Sequence, residues 1–188
     1  MSNNIRQQGH WVSTGDPETV DDATMYAPGM LGAKVTVKQP GPPGTPGAED
    51  YRDKTYQYVQ GDSSMTVAPF KGSTMWWADK TKYRVTTNPA TLGRGRVVGV
   101  YQNLVSPAKL GNFFFVQTEG PAIVKFIDGV TAAPTVAGLI VIPSATSGKA
   151  DCLAAGSAAT YPSMGVSSGA YNAAAAEAVV DLDIPSTP

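Results

Sequence analysis

Apolar and polar residues alternate in short runs along most of this chain, and nearly every run ends at Gly, Pro, Asn or Asp. Residues 33–38 (Ala-Lys-Val-Thr-Val-Lys) alternate with period two, the spacing that turns one face of a strand toward a core. Residues 54–59, 74–77, 83–87, 96–101, 112–117, 122–127 and 138–142 are runs rich in Val, Ile, Thr, Tyr, Phe and Trp. They recur at intervals of roughly 8–15 residues with turn signals between them, which predicts an all-β fold, a mainly antiparallel sandwich or barrel. A terminal strand is predicted where Val180, Leu182 and Ile184 alternate with Asp181 and Asp183 before Pro185. The two carboxylates then share one face, open to solvent or to a partner. Residues 170–178 carry four consecutive alanines. They favour a helix by propensity, but have so little apolar volume that a loop of small side chains is the equal alternative.

Composition sharpens this picture. The chain has 188 residues, 20 of them Gly and 15 Pro. Gly is conformationally loose and Pro lacks a backbone donor, so a helical bundle is excluded. At this size a single domain buries enough surface to need no metal or disulfide staple. Residues 1–30 are polar, with Trp11, Val12, Tyr26 and Met30 as apolar anchors. Pro40 to Gly47 places Gly41, Gly44 and Gly47 at collagen spacing, but three triplets cannot hold a triple helix, and a polyproline-like spacer or exposed loop is expected. The expected organisation is an extended N-terminal arm with a Pro/Gly-rich loop over residues 1–50, and a β-rich body over 51–188.

Charge and chemistry remove whole classes of function. Lys and Arg number 14 and Asp and Glu 15, for a net charge of −1, and charged residues make up only 15% of the chain. No clustered basic surface of the kind nucleic acid requires is visible. The uncharged stretch over residues 129–148 contains Pro134, Gly138 and Pro143, so no membrane span is expected there. No secretory signal and no Asn-x-Ser/Thr acceptor is read, and the expected compartment is cytoplasm-like. The single histidine, His10, has no evident acid or nucleophile beside it, and the single cysteine, Cys152, has no basic neighbour to stabilise a thiolate. No metal site or cofactor is expected. Gly93-Arg94-Gly95-Arg96-Val97-Val98 begins like a phosphate loop but lacks the third glycine and a following helix, so it reads as a tight turn. The alternative for Arg94 and Arg96 is pairing with carboxylates on a partner. The pairs Asp21-Asp22, Glu49-Asp50 and Asp181/Asp183 read as solvated rather than catalytic. In a strand the rings of Trp76 and Trp77 point to opposite faces, one into the core and the other toward loops or an interface.

Taken together, Thr55-Tyr56-Gln57-Tyr58-Val59, Trp76-Trp77-Ala78-Asp79, Tyr83-Arg84-Val85-Thr86, Gly93 to Val100 and Gly111-Asn112-Phe113-Phe114-Phe115-Val116-Gln117-Thr118-Glu119-Gly120 resemble the head decoration (cement) proteins of tailed bacteriophages. The Gly/Ala/Ser-rich texture after Val136 is similar to those proteins too. The resemblance covers about two-thirds of the chain, from Tyr51 onward, and leaves residues 1–50 uncovered. It implies a non-enzymatic, β-rich homotrimer on the outer surface of an icosahedral virion, bound to the major capsid protein at capsomer junctions and stabilising the shell. Trp11, Val12, Tyr26, Met30, Trp76, Trp77, Arg94 and Arg96 are the interface candidates. The competing reading is a spike or fibre-like virion module recognising a host glycan, with Tyr and Trp lining a sugar groove.

Overall fold

A computed structural model describes residues 5–7, 17–19, 21–22, 30–37, 53–63, 65–89, 97–103, 111–127, 137–153, 162–168 and 171–185. The strands among them are β1 (Ile5–Gln7), β2 (Asp21–Asp22), β3 (Lys34–Val37), β4 (Lys54–Gly61), β5 (Ser73–Asp79), β6 (Arg84–Thr86), β7 (Val97–Tyr101), β8 (Phe113–Lys125), β9 (Ile140–Pro143), β10 (Ala150–Cys152), β11 (Gly165–Ser167) and β12 (Glu177–Asp183).

Five of these strands close on themselves. The order runs β4-β6-β5-β7-β8, and β8 returns to pair with β4. The β4–β6 pairing is parallel and the others are antiparallel. A five-strand barrel is too narrow for a lumen, so its inside is filled by side chains. Val59, Met65, Met75, Trp77, Val85, Val98, Tyr101, Phe114 and Val116 make up that cluster. Tyr101 and Phe114 meet edge to face, with ring centroids 5.1 Å apart and planes at 86°, the arrangement that aromatic quadrupoles favour. β7 comes so close to β8 that a β-carbon on Gly99 would lie 2.5 Å from the Gln117 carbonyl oxygen.

β8 runs for 13 residues and belongs to two units. Its first half closes the barrel. Its second half pairs with β12, and the sheet continues through β11 and β9 to β10. A parallel bridge between Phe126 and Ala150 brings β10 back to the end of β8. Ala122, Val124, Phe126, Val141, Cys152, Met164, Ala178, Val180 and Leu182 pack inside this second curl, with Val100 of the barrel joining them. The two units are stitched by Thr74 N–H to Gly148 C=O (3.1 Å) and Gly148 N–H to Thr87 C=O (3.0 Å). A third cluster, Met30, Val35, Val37, Tyr56, Tyr58 and Phe115, lies between β3 and the β4–β8 pair.

The strands predicted at 33–38, 54–59, 74–77, 83–87, 96–101, 138–142 and the chain's end are present. Residues 112–117 and 122–127, read as two strands, belong to one. The Gly120-Pro121 signal bends β8 instead of ending it. Gly120 sits at φ +83°, and the Gln117 side-chain amide donates to the carbonyls of Glu119 (3.0 Å) and Pro121 (2.9 Å), bracing the bend from within the strand. The alanine run forms no helix: residues 173–176 close a turn between Asn172 and Glu177, and β12 starts directly after it. The described parts of residues 1–50 are not detached. β1 pairs with β3, β3 with β4, and β2 with β8. The Pro40–Gly47 segment lies outside the described residues.

Candidate functional site

β8 leaves β4 at the bend, and there the outer surface opens into a cavity of about 310 Å³ lined by Glu18, Lys54, Lys71, Gln102, Pro121, Ala122, Ile123 and Val179. Each polar group is placed by a different element. Glu18 lies in a single 3-10 turn, Pro17–Thr19. Lys54 and Tyr56 are two apart on β4 and so share a face. The Tyr56 hydroxyl donates to Glu18 Oε1 at 2.6 Å, and Lys54 Nζ lies 3.4 Å from the same oxygen. The side chains of Lys54 and Glu18 are only 14% and 17% exposed, so this ion pair is partly desolvated and its charge is satisfied locally.

Lys71 comes from the turn that leads into β5. Ser73 N–H donates to Phe70 C=O at 2.9 Å and Gly72 takes φ +89°, the geometry of a type II turn, which needs glycine at its third position. Gly72 N–H to Tyr101 C=O (2.7 Å) and Lys125 N–H to Gly72 C=O (2.9 Å) fix the turn to β7 and β8. The turn therefore presents Lys71 from a pinned backbone. Gln102 follows β7 directly, and its amide donates to Ile123 C=O at 2.7 Å. Pro121, Ile123 and Val179 supply the apolar wall from the outer face of the sheet, while the Ala122 side chain turns into the second core.

The arrangement suits binding more than bond-making. The Glu18 carboxylate is already engaged, accepting from the Tyr56 hydroxyl and pairing with the Lys54 ammonium. Among the described residues no three His, Cys, Asp or Glu side chains are grouped to hold a metal ion. Burial pushes the Cys152 thiol up to about 11, with the nearby Asp151 charge adding to it, so it stays protonated inside the second core.

The structure places the sequence-derived candidates elsewhere. Trp76 is fully buried and Trp77 is 8% exposed. Trp77 points into the barrel and contacts Tyr83 edge to face at 6.1 Å. Trp76, on the opposite face of β5, is covered by the chain itself, and its indole N–H has no hydrogen-bond partner among the described residues. Both rings are thus covered within the folded chain, as the alternative of one core ring and one ring packed under neighbouring segments expects. Met30, expected to anchor an arm, is 5% exposed and packs with Tyr56, Tyr58 and Phe115. Trp11, Val12, Tyr26, Arg94 and Arg96 lie outside the described residues. The cavity residues escaped the sequence reading because they are scattered from Glu18 to Val179 with no shared motif. Only the Phe70-Lys71-Gly72-Ser73 turn signal could have flagged one of them.

The outer face of the second sheet carries a further feature. Ile140 and Val166 are directly paired across β9 and β11 and are 42% and 41% exposed. Asp181 stands opposite Val166 on β12, and the Ile123–Val179 pair of the cavity wall lies on the same face. Comparison with protein-family models, with curated proteins and with solved structures finds no match to this chain.

Proposed function

We propose that this protein is a structural component of a tailed-phage head: a decoration, or cement, protein that binds the major capsid protein on the outer surface of the shell and stabilises it, acting as a homotrimer. The sequence resemblance supplies the role. The observation that best supports it in the fold is the exposed Ile140–Val166 pair on a sheet braced by a closed barrel. An apolar patch on a stiff β surface costs solubility and gains free energy when a partner covers it. A low content of charge fits the same use, because an unpaired ion in a closed interface carries a large desolvation cost. Repetition over a shell lets modest contacts add up.

Counting copies of the chain in purified particles against the major capsid protein, by quantitative mass spectrometry, tests the reading. Hundreds of copies support a shell-wide cement. A few copies point to a vertex, spike or tail part, and absence from particles refutes a virion role. The glycan-recognition alternative gains little from the fold. Trp76, Trp77, Tyr56, Tyr58 and Tyr101 are all buried, and no Trp or Tyr among the described residues is in the exposed class.

A further inference from the structure

We propose that the cavity at the β8 bend is a binding site for an aliphatic monocarboxylate, with the Lys71 ammonium taking the carboxylate and the wall of Pro121, Ile123 and Val179 taking the apolar group attached to it. The site's charges are not equivalent. Lys54 is neutralised by Glu18, which also holds the Tyr56 hydroxyl. Lys71 has no ion pair and no hydrogen bond among the described residues, yet its backbone is pinned at both ends of a tight turn. Gln102 spends its amide N–H on Ile123 C=O, and its carbonyl oxygen accepts no hydrogen bond among the described residues. The cavity thus offers one uncompensated cation, one spare acceptor and an aliphatic surface, at a volume near the lower end of small-ligand sites, about 300 Å³.

This pattern selects. A cation is repelled by Lys71. A dianion such as phosphate meets one free ammonium but also the Glu18 carboxylate, so the match is best for a single negative charge. The aliphatic wall favours a short branched chain beside that charge, and the Gln102 oxygen can accept an N–H next to it. Two sources carry this chemistry: a free short-chain acid, or a peptide ending in an aliphatic residue. The site is independent of the decoration role and stands or falls separately from it.

The test uses the full chain, titrated by NMR and calorimetry with isovalerate, isovaleramide, N-acetyl-Gly-Val and the amide of that dipeptide. Both carboxylates are expected to shift the resonances of Lys71, Gln102 and Val179, and the two amides to leave them unmoved. Lys71→Met, which keeps the aliphatic stem, should weaken carboxylate binding by about tenfold or more, and Lys71→Arg should restore it. Tighter binding of the dipeptide assigns the site to a peptide terminus, whereas isovalerate binding as tightly assigns it to a free acid. The proposal is overturned if neither carboxylate binds by about 10 mM, a free energy of only about 3 kcal/mol. It is equally overturned if the amides bind as well as the acids, or if Lys71→Met binds unchanged while melting like the wild type.

Discussion

Gly120 offers the sharpest test of how the two units are joined. It takes φ +83°, and a β-carbon there would collide with the Asp53 carbonyl oxygen, a backbone atom that no rotamer change can move. Gly111 has the same φ of +83° with nothing within 4 Å of its β-carbon position. Alanine at Gly111 should therefore cost only the left-handed backbone penalty, about 1–2 kcal/mol. Alanine at Gly120 adds the separation of β4 from β8 at the bend. Two side-chain hydrogen bonds among the described residues span that gap: Thr55 Oγ1 to Glu119 Oε2 at 2.9 Å and Thr118 Oγ1 to Thr55 C=O at 3.2 Å. At about 1 kcal/mol each, their loss brings Gly120→Ala to about 3–4 kcal/mol. For a chain of this size that lowers Tm by about 6–16 °C, against about 2–8 °C for Gly111→Ala. Urea denaturation and thermal melts of the two variants, run side by side, measure the difference. Equal losses would mean that the bend does not press β8 against Asp53, and the account of the joint would fail.

Phe114→Ala should remove a fully buried ring from the barrel interior and its contact with Tyr101. The expected loss is about 3–5 kcal/mol, read as a lower urea midpoint, and a loss below about 1 kcal/mol would argue against a packed barrel. For Cys152 the folded-state thiol titrates higher than the ordinary 9.0, at about 11. Its contribution to stability is therefore full below pH 9 and is lost as pH rises toward 11. The stability difference between wild type and Cys152→Ala should shrink over that window, and a disulfide reagent at pH 8 should label Cys152 only after unfolding. Labelling of the folded chain at the rate of a free thiol would place Cys152 outside the core. The double change Ile140→Lys and Val166→Lys alters only an exposed pair, so each should move stability by within about 0.5 kcal/mol. On the proposed decoration role it should nonetheless abolish attachment to purified shells in a sedimentation assay; attachment retained by the variant would move the proposed interface off this face.

The strands were legible because their signal is local. β3, β4, β7 and β12 carry β-branched and aromatic residues in runs bounded by turn formers, and no tertiary contact is needed to see them. β10 and β11, three residues each, were missed because Ala150-Asp151-Cys152 and Gly165-Val166-Ser167 have neither length nor β-branched density. They are strands only because β9 and β12 offer them edges. The same limit explains Trp76 and Trp77. Alternation correctly puts the rings on opposite faces of β5, but both faces of that strand are covered in the folded chain, and no local pattern reports that. The β8 bend failed for a related reason. Gly-Pro ends most strands, and here Gln117, three residues upstream of Gly120, carries the hydrogen bonds that let the strand pass through.

The position of the cavity follows from that bend. β4 begins at Lys54, and its last pairing with β8 is Thr55 to Glu119. Beyond Glu119, β8 continues against β12 without β4, so its outer surface loses a neighbour at Pro121 to Ile123. Pro121 has no backbone N–H to leave unsatisfied there, and Ile123 C=O is capped by the Gln102 amide. What surrounds the gap is the start of a strand (Lys54), the end of another (Gln102 after β7), a tight turn (Lys71) and a single 3-10 turn (Glu18). Element termini are where charged side chains can reach solvent without disturbing a core, so a gap framed by them is charged at its rim. It is apolar along its wall, because Pro121, Ile123 and Val179 occupy that stretch of the sheet's outer face. A strand shared between two units thus makes an amphipathic recess as a consequence of its topology. Lys71, the one cation of that recess with no ion pair among the described residues, is the residue whose chemistry the fold leaves open.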